Sequence, residues 1–154
     1  MKFSEWTMGT DGVASISDTT CDRLLQDALM SPRKRAHLLL HESHADPIQR
    51  LLVAFAPGSY IQPHRHPEQW EMVLLIRGTF ALFTFSNAGE ITGRTELTTT
   101  TVPVLQIPAG TWHTFVAVTP QALLLELKPG PYRTAEFLDA FSSETDPSAP
   151  HCLR

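Results

Sequence analysis

Two histidines and two glutamates lie close together in PGSYIQPHRHPEQWEMVLLIRG (57–78), a segment that otherwise has the composition of β-strands. Side chains two residues apart in a strand share a face, at a backbone separation of roughly 7 Å. His64 and His66 would therefore point the same way, and two imidazoles at this spacing can bind one metal ion. Pro63 and Pro67 flank the pair, and proline in a sheet is confined to edges because it cannot donate to the ladder. The spacing predicts a ligand site at a sheet rim.

A carboxylate and a third imidazole are candidates for the same site. Glu71 follows His66 by five residues, which is far enough for the chain to turn and bring it back on the next strand. Glu68 lies in the turn itself and ranks second. His113 begins the strand that leaves the Pro-Ala-Gly turn of IPAGTWHTF (107–115). Three imidazoles and one carboxylate suit Zn, Fe, Mn, Ni or Cu and leave positions open for water or substrate.

A rival set of histidines occurs in HLLLHESH (37–44). His37 and His41 are four residues apart and would share a face of a helix, as the histidines of a two-His metal site do. However, no HExxH glutamate separates them, and the leucine run suits a buried strand equally well. We therefore expect His37, His41 and His44 to be partly buried, hydrogen-bonded residues rather than metal ligands.

The elements that position these residues are mostly strands. Short apolar segments rich in β-branched or aromatic residues are separated by Gly-, Pro- or Asn-containing turns, a pattern typical of an antiparallel sandwich or barrel. The predicted strands are QRLLVAF, SYIQPH, WEMVLLI, TFALFTF, VPVLQI, HTFVAV and ALLLELK, and TELTTTT (95–101) is a strand or a loop edge.

Two short helices complete the prediction. Apolar residues recur at helical spacing from Leu24 to Leu29, after the N-cap candidate SDTT and before the break at Ser31-Pro32. TAEFLDAF (134–141) is predicted to form a second helix. The expected organisation is a helical and extended segment (1–46) packed on a barrel (47–130), followed by a short helix and flexible tail (131–154).

Composition excludes some functions. The 154 residues suit one domain, and a net charge of -4 argues against nucleic-acid binding, which needs an excess of Lys and Arg. No apolar run is long enough to span a bilayer, and no apolar export segment occurs at the N-terminus. Cys21 and Cys152 lack CxxC spacing and are predicted to be reduced thiols, so we expect a cytoplasmic protein.

The segment from Gly58 to Gly78 resembles the first motif of the cupin superfamily, G-x5-H-x-H-x4-E-x6-G, at every position. The second motif is matched by the proline, glycine and histidine of PAGTWH. It departs at Val102 and Ala117, where cupins have glycine and asparagine that are not ligands. The resemblance implies a single-domain, all-β cupin fold, a jelly-roll-like antiparallel barrel that binds a divalent transition metal (Zn, Fe, Mn or Ni) through His64, His66, Glu71 and His113.

A narrower resemblance covers about residues 23–133. SPRKRAHLLLHESHADPIQRLL, PGSYIQPHRHP, IPAGTWHTF and ELKPGPY are similar to the WbuC family of cupin metalloproteins. This resemblance implies an association with surface-polysaccharide gene clusters. It does not imply a particular reaction. The family's terminal Trp-Ala-Pro motif is absent or altered here, where AFSSETDPSAP stands.

Further residues are candidates for a ligand pocket around the metal. Strand alternation points Tyr60 and Gln62 inward with the two histidines. Trp70 and Trp112 each adjoin a predicted ligand, where a ring can stack on a sugar or pack in the wall.

Charged residues within apolar strands are also candidates. Arg50, Glu126 and Lys128 either point inward, where they must be paired, or outward to solvent. Tyr132 could pack over the pocket mouth. We assign proton transfer to Tyr60 or Glu126, and ligand contact to Gln62, Arg50, Trp70, Trp112, Lys128 and Tyr132.

The sequence leaves three functions open. The favoured one is a metal-dependent enzyme, such as an isomerase, epimerase or dioxygenase, that acts on a small polar metabolite related to a sugar or sugar nucleotide. The alternative is a non-catalytic, metal-dependent binder or sensor of a small molecule. A metal-free acid–base enzyme is disfavoured by the complete ligand set. We also predict a homodimer formed through the apolar strands TFALFTF and ALLLELK.

Overall fold

The chain folds into two facing antiparallel sheets with one helix packed outside. A computed structural model describes residues 6–144. Its helix is α1 (Asp18–Met30). Its strands are β1 (Thr7–Met8), β2 (Ala14–Ser15), β3 (Arg35–Leu39), β4 (Ile48–Phe55), β5 (His64–Arg65), β6 (Glu71–Arg77), β7 (Phe80–Phe85), β8 (Ile91–Leu97), β9 (Val104–Ile107), β10 (Trp112–Ala117), β11 (Ala122–Pro129) and β12 (Glu136–Phe137).

Each of the two sheets has five strands. The first sheet has the order β12-β5-β10-β7-β8 and the second β3-β4-β11-β6-β9, while β1 and β2 form a separate hairpin. The predicted mostly antiparallel β-architecture is confirmed, but no ladder joins the two sheets within residues 6–144, so the described chain forms a two-sheet sandwich and no closed barrel is seen. Strands β3 and β12 also extend the sheets beyond the predicted bounds of 47–130.

The core lies between the two sheets. Phe80 is fully buried and its ring meets Phe55 edge-on at a centroid distance of 4.8 Å. Aromatic pairs in this arrangement stabilise a core beyond the apolar area they bury. The other buried residues of this cluster come from both sheets: Leu51, Val53, Val73, Leu75, Leu82, Leu97, Ile107, Phe115, Ala122 and Leu124.

The predicted N-terminal helix is confirmed. Ser17 caps it, since its hydroxyl accepts a hydrogen bond from the Thr20 amide at 3.2 Å, and the helix ends before Ser31. The apolar face of α1, which includes the free thiol of Cys21, packs against the outer face of β4 and β11 at residues such as Leu123. This packing covers part of the surface that the ALLLELK strand was expected to offer a partner. Cys152 lies outside the described residues.

The predicted second helix is wrong. Within 134–141 the chain forms the short strand β12, in which Glu136 pairs with Arg65 and Phe137 pairs with His64 of β5. The Gln62 side chain then donates hydrogen bonds to two carbonyls farther along this segment. The ladder holds residues 136–137 extended and Gln62 binds the turn that follows, so tertiary contacts override the local helical periodicity. Within residues 6–144, no helix has the length and apolar character needed to cross a membrane.

Gly78 lies in the turn that carries the chain from β6 in the second sheet to β7 in the first. Its φ of +79° lies in the left-handed region, and a Cβ at this position would collide with the backbone of Gln121 and Ala122. Only glycine meets both conditions. The turn therefore fixes the position of β6, the strand that begins at Glu71.

Candidate metal centre

The two sheets bring the predicted metal ligands together. His64 lies on β5 and pairs directly across the ladder with His113 of β10, both in the first sheet. Glu71 is the first residue of β6 in the second sheet. His66 lies in the loop between β5 and β6. The donors thus converge from both layers at one end of the sandwich.

The donor atoms are close together and shielded from water. The ligand atoms of His64, His66 and Glu71 all lie within 4.8 Å of one another. His66 Nε2 is 3.1 Å from Glu71 Oε2, and His113 Nε2 is 3.8 Å from the same oxygen. Glu71, His66 and His113 are 3 %, 6 % and 1 % exposed, so these three side chains are almost completely removed from solvent, whereas His64 is half-buried.

Backbone carbonyls fix the orientation of two of the imidazoles. His64 Nδ1 is 3.2 Å from the Gln62 carbonyl oxygen, and His113 Nδ1 is 2.9 Å from that of Thr111. A carbonyl only accepts hydrogen bonds, so each Nδ1 carries the proton and donates. The Nε2 lone pair of each ring is then free for a metal, the arrangement seen around metal-bound histidines.

Burial and mutual contact shift the protonation of these groups. Burial alone would raise the pKa of Glu71, but the adjacent His113 and His66 imidazoles hold that pKa well below its ordinary value. Burial, with His113 next to it, lowers the pKa of His64 to about 3. The carboxylate is therefore ionised and the His64 ring is neutral, which are the protonation states that bind metals.

The residues present fit a divalent transition metal. His66 Nδ1, His66 Nε2 and His113 Nε2 are buried with no hydrogen-bond partner among residues 6–144. Unpartnered buried polar atoms are costly and call for an explanation, and a bound ion is one. Glu68, the lower-ranked carboxylate, instead forms an ion pair with Arg133 near the surface.

A cavity of about 330 Å³ opens onto this cluster. His64, His66 and Glu71 form part of its wall together with apolar residues of the core. The other polar and aromatic lining residues are Arg33, Arg35, His37, Phe115, Glu126, Lys128, Tyr132, Arg133, Phe137 and Glu144. A second cavity of about 350 Å³ is slightly larger, but no histidine or charged residue lines it. The donor set therefore identifies the first cavity as the candidate site.

Three of the predicted pocket residues line the cavity: Glu126, Lys128 and Tyr132. Lys128 Nζ donates to Glu126 Oε1 at 2.6 Å, and both side chains are largely buried. Burial, and then the negative charge of Glu71, raise the pKa of Glu126 despite the neighbouring lysine. Inward-pointing charges are thus paired, as the sequence argument required.

The other predicted pocket residues lie elsewhere, because residues 58–63 are not strand and the expected alternation does not apply. The Gln62 amide binds the carbonyls of Leu138 and Phe141. The hydroxyl of Tyr60, which lines the second cavity, donates to the Ser142 carbonyl.

Arg50 and the two tryptophans also lie outside the lining of the candidate cavity. Arg50 lies on β4, where its backbone bonds to the His41 ring. Trp112 Nε1 donates to Asn87 at 2.9 Å, with Arg65 over its ring, and Trp70 is 38 % exposed.

Sequence reasoning missed several cavity residues. Arg35 and His37 alternate with apolar residues along β3 and face inward, whereas the HLLLHESH segment was considered only as a metal-binding helix or a buried strand. The alternation of RAHLL could have indicated this face. Glu144 and Phe137 reach the cavity from the C-terminal segment, for which the sequence predicted a helix and a flexible tail. His41 and His44 lie outside the lining, and His44 stacks on Tyr132 at a centroid distance of 4.8 Å.

Residues 16–97, just over half of the chain, match a family described as Domain of unknown function (DUF6016). The chain belongs to the DUF6016 family. No curated protein matches this DUF6016 chain.

Solved structures similar to this DUF6016 protein show the cupin fold. KdgF from a Halomonas species is 21% identical with a TM-score of 0.51, and the match covers 67% of this chain and 84% of KdgF. Oxalate oxidase, in complex with the substrate analogue glycolate, is 17% identical with a TM-score of 0.55, over 70% and 57% of the two chains. The Mn(II)-containing oxalate decarboxylase of Bacillus subtilis is 20% identical with a TM-score of 0.50, and the match covers 60% of this chain and 24% of the decarboxylase. At these identities the likeness establishes the fold of the DUF6016 protein.

Proposed function

We propose that this protein is a cupin metalloprotein that binds one divalent transition metal through His64, His66, Glu71 and His113 and acts there on a small polar metabolite. The main support is that buried imidazole nitrogens with no hydrogen-bond partner in the described chain converge on an ionised carboxylate at the wall of a cavity of about 330 Å³. Three imidazoles and one carboxylate form a ligand set for Zn, Fe, Mn or Ni. The Mn(II) centres of the oxalate decarboxylase with the same fold support this metal class.

The chain's own residues supply binding and proton transfer. A bound divalent ion would act as a Lewis acid toward a carbonyl or hydroxyl oxygen of the metabolite. Glu126, whose pKa is raised by burial, lines the same cavity and is placed to take or give a proton. Lys128 Nζ, 2.6 Å from Glu126 Oε1, orients that carboxyl and balances its charge when it is ionised. The apolar lining, which includes Phe115, excludes water around these groups.

The resemblance of the motifs to the WbuC family supports a ligand related to a sugar or sugar nucleotide, in a surface-polysaccharide context. Oxalate oxidase and oxalate decarboxylase, as their names state, act on a small carboxylic acid. Both comparisons favour a compact, oxygen-rich metabolite over a macromolecule.

Elemental analysis of protein purified without added metal tests the metal assignment. We expect about one transition-metal ion per chain in the wild type. Glu71→Gln and His64→Ala should lose most of it, because each removes a ligand. Glu68→Gln is a matched control, since it changes a glutamate of the same segment that pairs with Arg133 instead. A wild type without stoichiometric metal, or a Glu71→Gln variant that retains it fully, would contradict the assignment.

Turnover on a panel of nucleotide sugars and sugar acids then separates an enzyme from a binder. If the protein is an enzyme, Glu126→Gln should lower kcat by about 100-fold or more while the metal content stays constant, because proton transfer contributes on this scale. A metal-loaded protein that binds a panel member without turnover would instead be the non-catalytic binder.

A further inference from the structure

The cavity contains a second cluster of charged groups besides the metal ligands and the Glu126–Lys128 pair. Arg35 on β3 is 8 % exposed, and its guanidinium donates to Glu144 Oε2 at 2.8 Å and to the Tyr60 carbonyl at 3.1 Å. Arg33 Nη1 lies 3.6 Å from the same Glu144 oxygen. Two arginines of one segment thus hold one carboxylate at the cavity wall.

That carboxylate is brought in by a separate part of the chain. Glu144 lies 109 positions from Arg35, beyond β12. The segment that carries it is fastened by other contacts: the β12–β5 ladder, the Gln62 amide, and the Tyr60 hydroxyl on the Ser142 carbonyl at 2.9 Å. None of these contacts uses the Glu144 side chain. The carboxylate can therefore leave Arg35 while the segment stays in place.

We propose that Arg35 and Arg33 form a carboxylate-binding subsite of the metal cavity, which Glu144 occupies until a small molecule bearing a carboxylate displaces it. This proposal rests on the proposed function, because the molecule that displaces Glu144 would contact the bound metal with its other end. An arginine remains charged at every physiological pH, and a buried cation left without an anion is strongly destabilising. Once bound in place of Glu144, a ligand carboxylate leaves Arg35 paired with an anion, whereas a neutral sugar does not. The subsite therefore selects sugar acids and other carboxylic acids.

Glu144→Gln in the full-length protein tests this subsite, because it removes the competing charge and keeps the side-chain shape. The matched control is Glu136→Gln, which removes a carboxylate of the same segment whose partner, Arg65, lies outside the cavity lining. The probes are D-glucuronate, glycolate, D-glucose and inorganic phosphate, measured by isothermal titration calorimetry. We expect both carboxylates to bind Glu144→Gln about tenfold more tightly than they bind the wild type, since a hydrogen bond to a charged group is worth about that factor. The affinity of Glu136→Gln for the two carboxylates should match that of the wild type. The affinity of Glu144→Gln for D-glucose should also match that of the wild type.

Two further measurements keep the outcome clear. Arg35→Met should abolish carboxylate binding. In the wild type, saturating D-glucuronate should leave amide hydrogen exchange at Leu138 and Phe141 unchanged, because the contacts that hold this segment do not use the Glu144 side chain. The proposal is overturned if neither carboxylate binds Glu144→Gln more tightly than the wild type, if Glu136→Gln shows the same gain, or if phosphate gains more than the carboxylates.

Metal content measured on the same samples separates this proposal from the proposed function. If the chain carries no metal but Glu144→Gln gains carboxylate affinity, the proposed function fails and the subsite stands. If the chain carries metal but the gain is missing, the subsite fails and the metal assignment stands.

Discussion

The imidazole of His37 makes the stability of the protein depend on pH. Burial, and then the positive charges of Arg35 and Arg33, lower its pKa from 6.5 to about 4. At higher pH the ring is neutral in both the folded and the unfolded chain. As the pH falls from about 6.5 to about 4, the unfolded chain binds a proton that the folded chain does not, so the free energy of unfolding decreases.

The size of this effect follows from the two pKa values. One pKa unit corresponds to about 1.4 kcal/mol, but His37 is more than a third exposed, so solvent screens the surrounding charges and the loss of stability at about pH 5 should be at most about 1 kcal/mol. His37→Gln cannot take up the proton in either state. The variant should therefore lose up to about 1 kcal/mol less of its free energy of unfolding than the wild type between about pH 7.5 and about pH 5.

Urea unfolding of the wild type and His37→Gln at both pH values measures this difference. Both proteins should be treated with a chelator, so that proton release from metal ligands affects them equally. His44→Gln is the control, because it removes an imidazole that lies outside the cavity lining. The reasoning is refuted if the difference in free energy of unfolding between the wild type and His37→Gln stays constant with pH. It is also refuted if His44→Gln changes the pH dependence of stability by the same amount.

Two further predictions concern the core and the tryptophans. Phe80→Ala should lower the free energy of unfolding by about 3–5 kcal/mol, because it opens a cavity between the sheets. Ile91→Ala, at an exposed edge position, is the control, and similar losses for both in urea unfolding would contradict this. Trp112→Phe should leave metal content and carboxylate affinity unchanged, because the ring hydrogen-bonds Asn87 outside the cavity lining; a loss of metal by elemental analysis would place Trp112 at the site after all.

Local patterns predicted most of the strands and the first helix. Apolar alternation between Gly and Pro turns is set by neighbours in sequence, and Ser17 caps α1 through a bond to a residue three positions away. The grouping of His64, His66 and Glu71 was accessible because the three residues are close in sequence, although His66 lies in the loop after β5 and not on the strand that the alternation predicted. His113 could be included because the Pro-Ala-Gly turn marks its strand.

The features that sequence did not predict depend on distant partners. The 134–141 segment has helical periodicity, but pairing with β5 makes part of it a strand. Tyr60 and Gln62 do not follow strand alternation, because residues 58–63 form no ladder and their side chains instead bind carbonyls of the C-terminal segment. The Arg35–Glu144 contact joins residues 109 positions apart, and no local pattern of either residue encodes it.

The donors of the candidate centre divide between two layers that share no ladder in the described chain. His64 and His113 belong to one sheet, and Glu71 begins a strand of the other. An ion held by all of them would be a cross-link between the layers. Separation of the sheets, the natural opening motion of a sandwich, would then require the ion to be released first. Metal loading in such an arrangement governs how fast the protein unfolds and how long it resists proteolysis, in addition to the chemistry it provides.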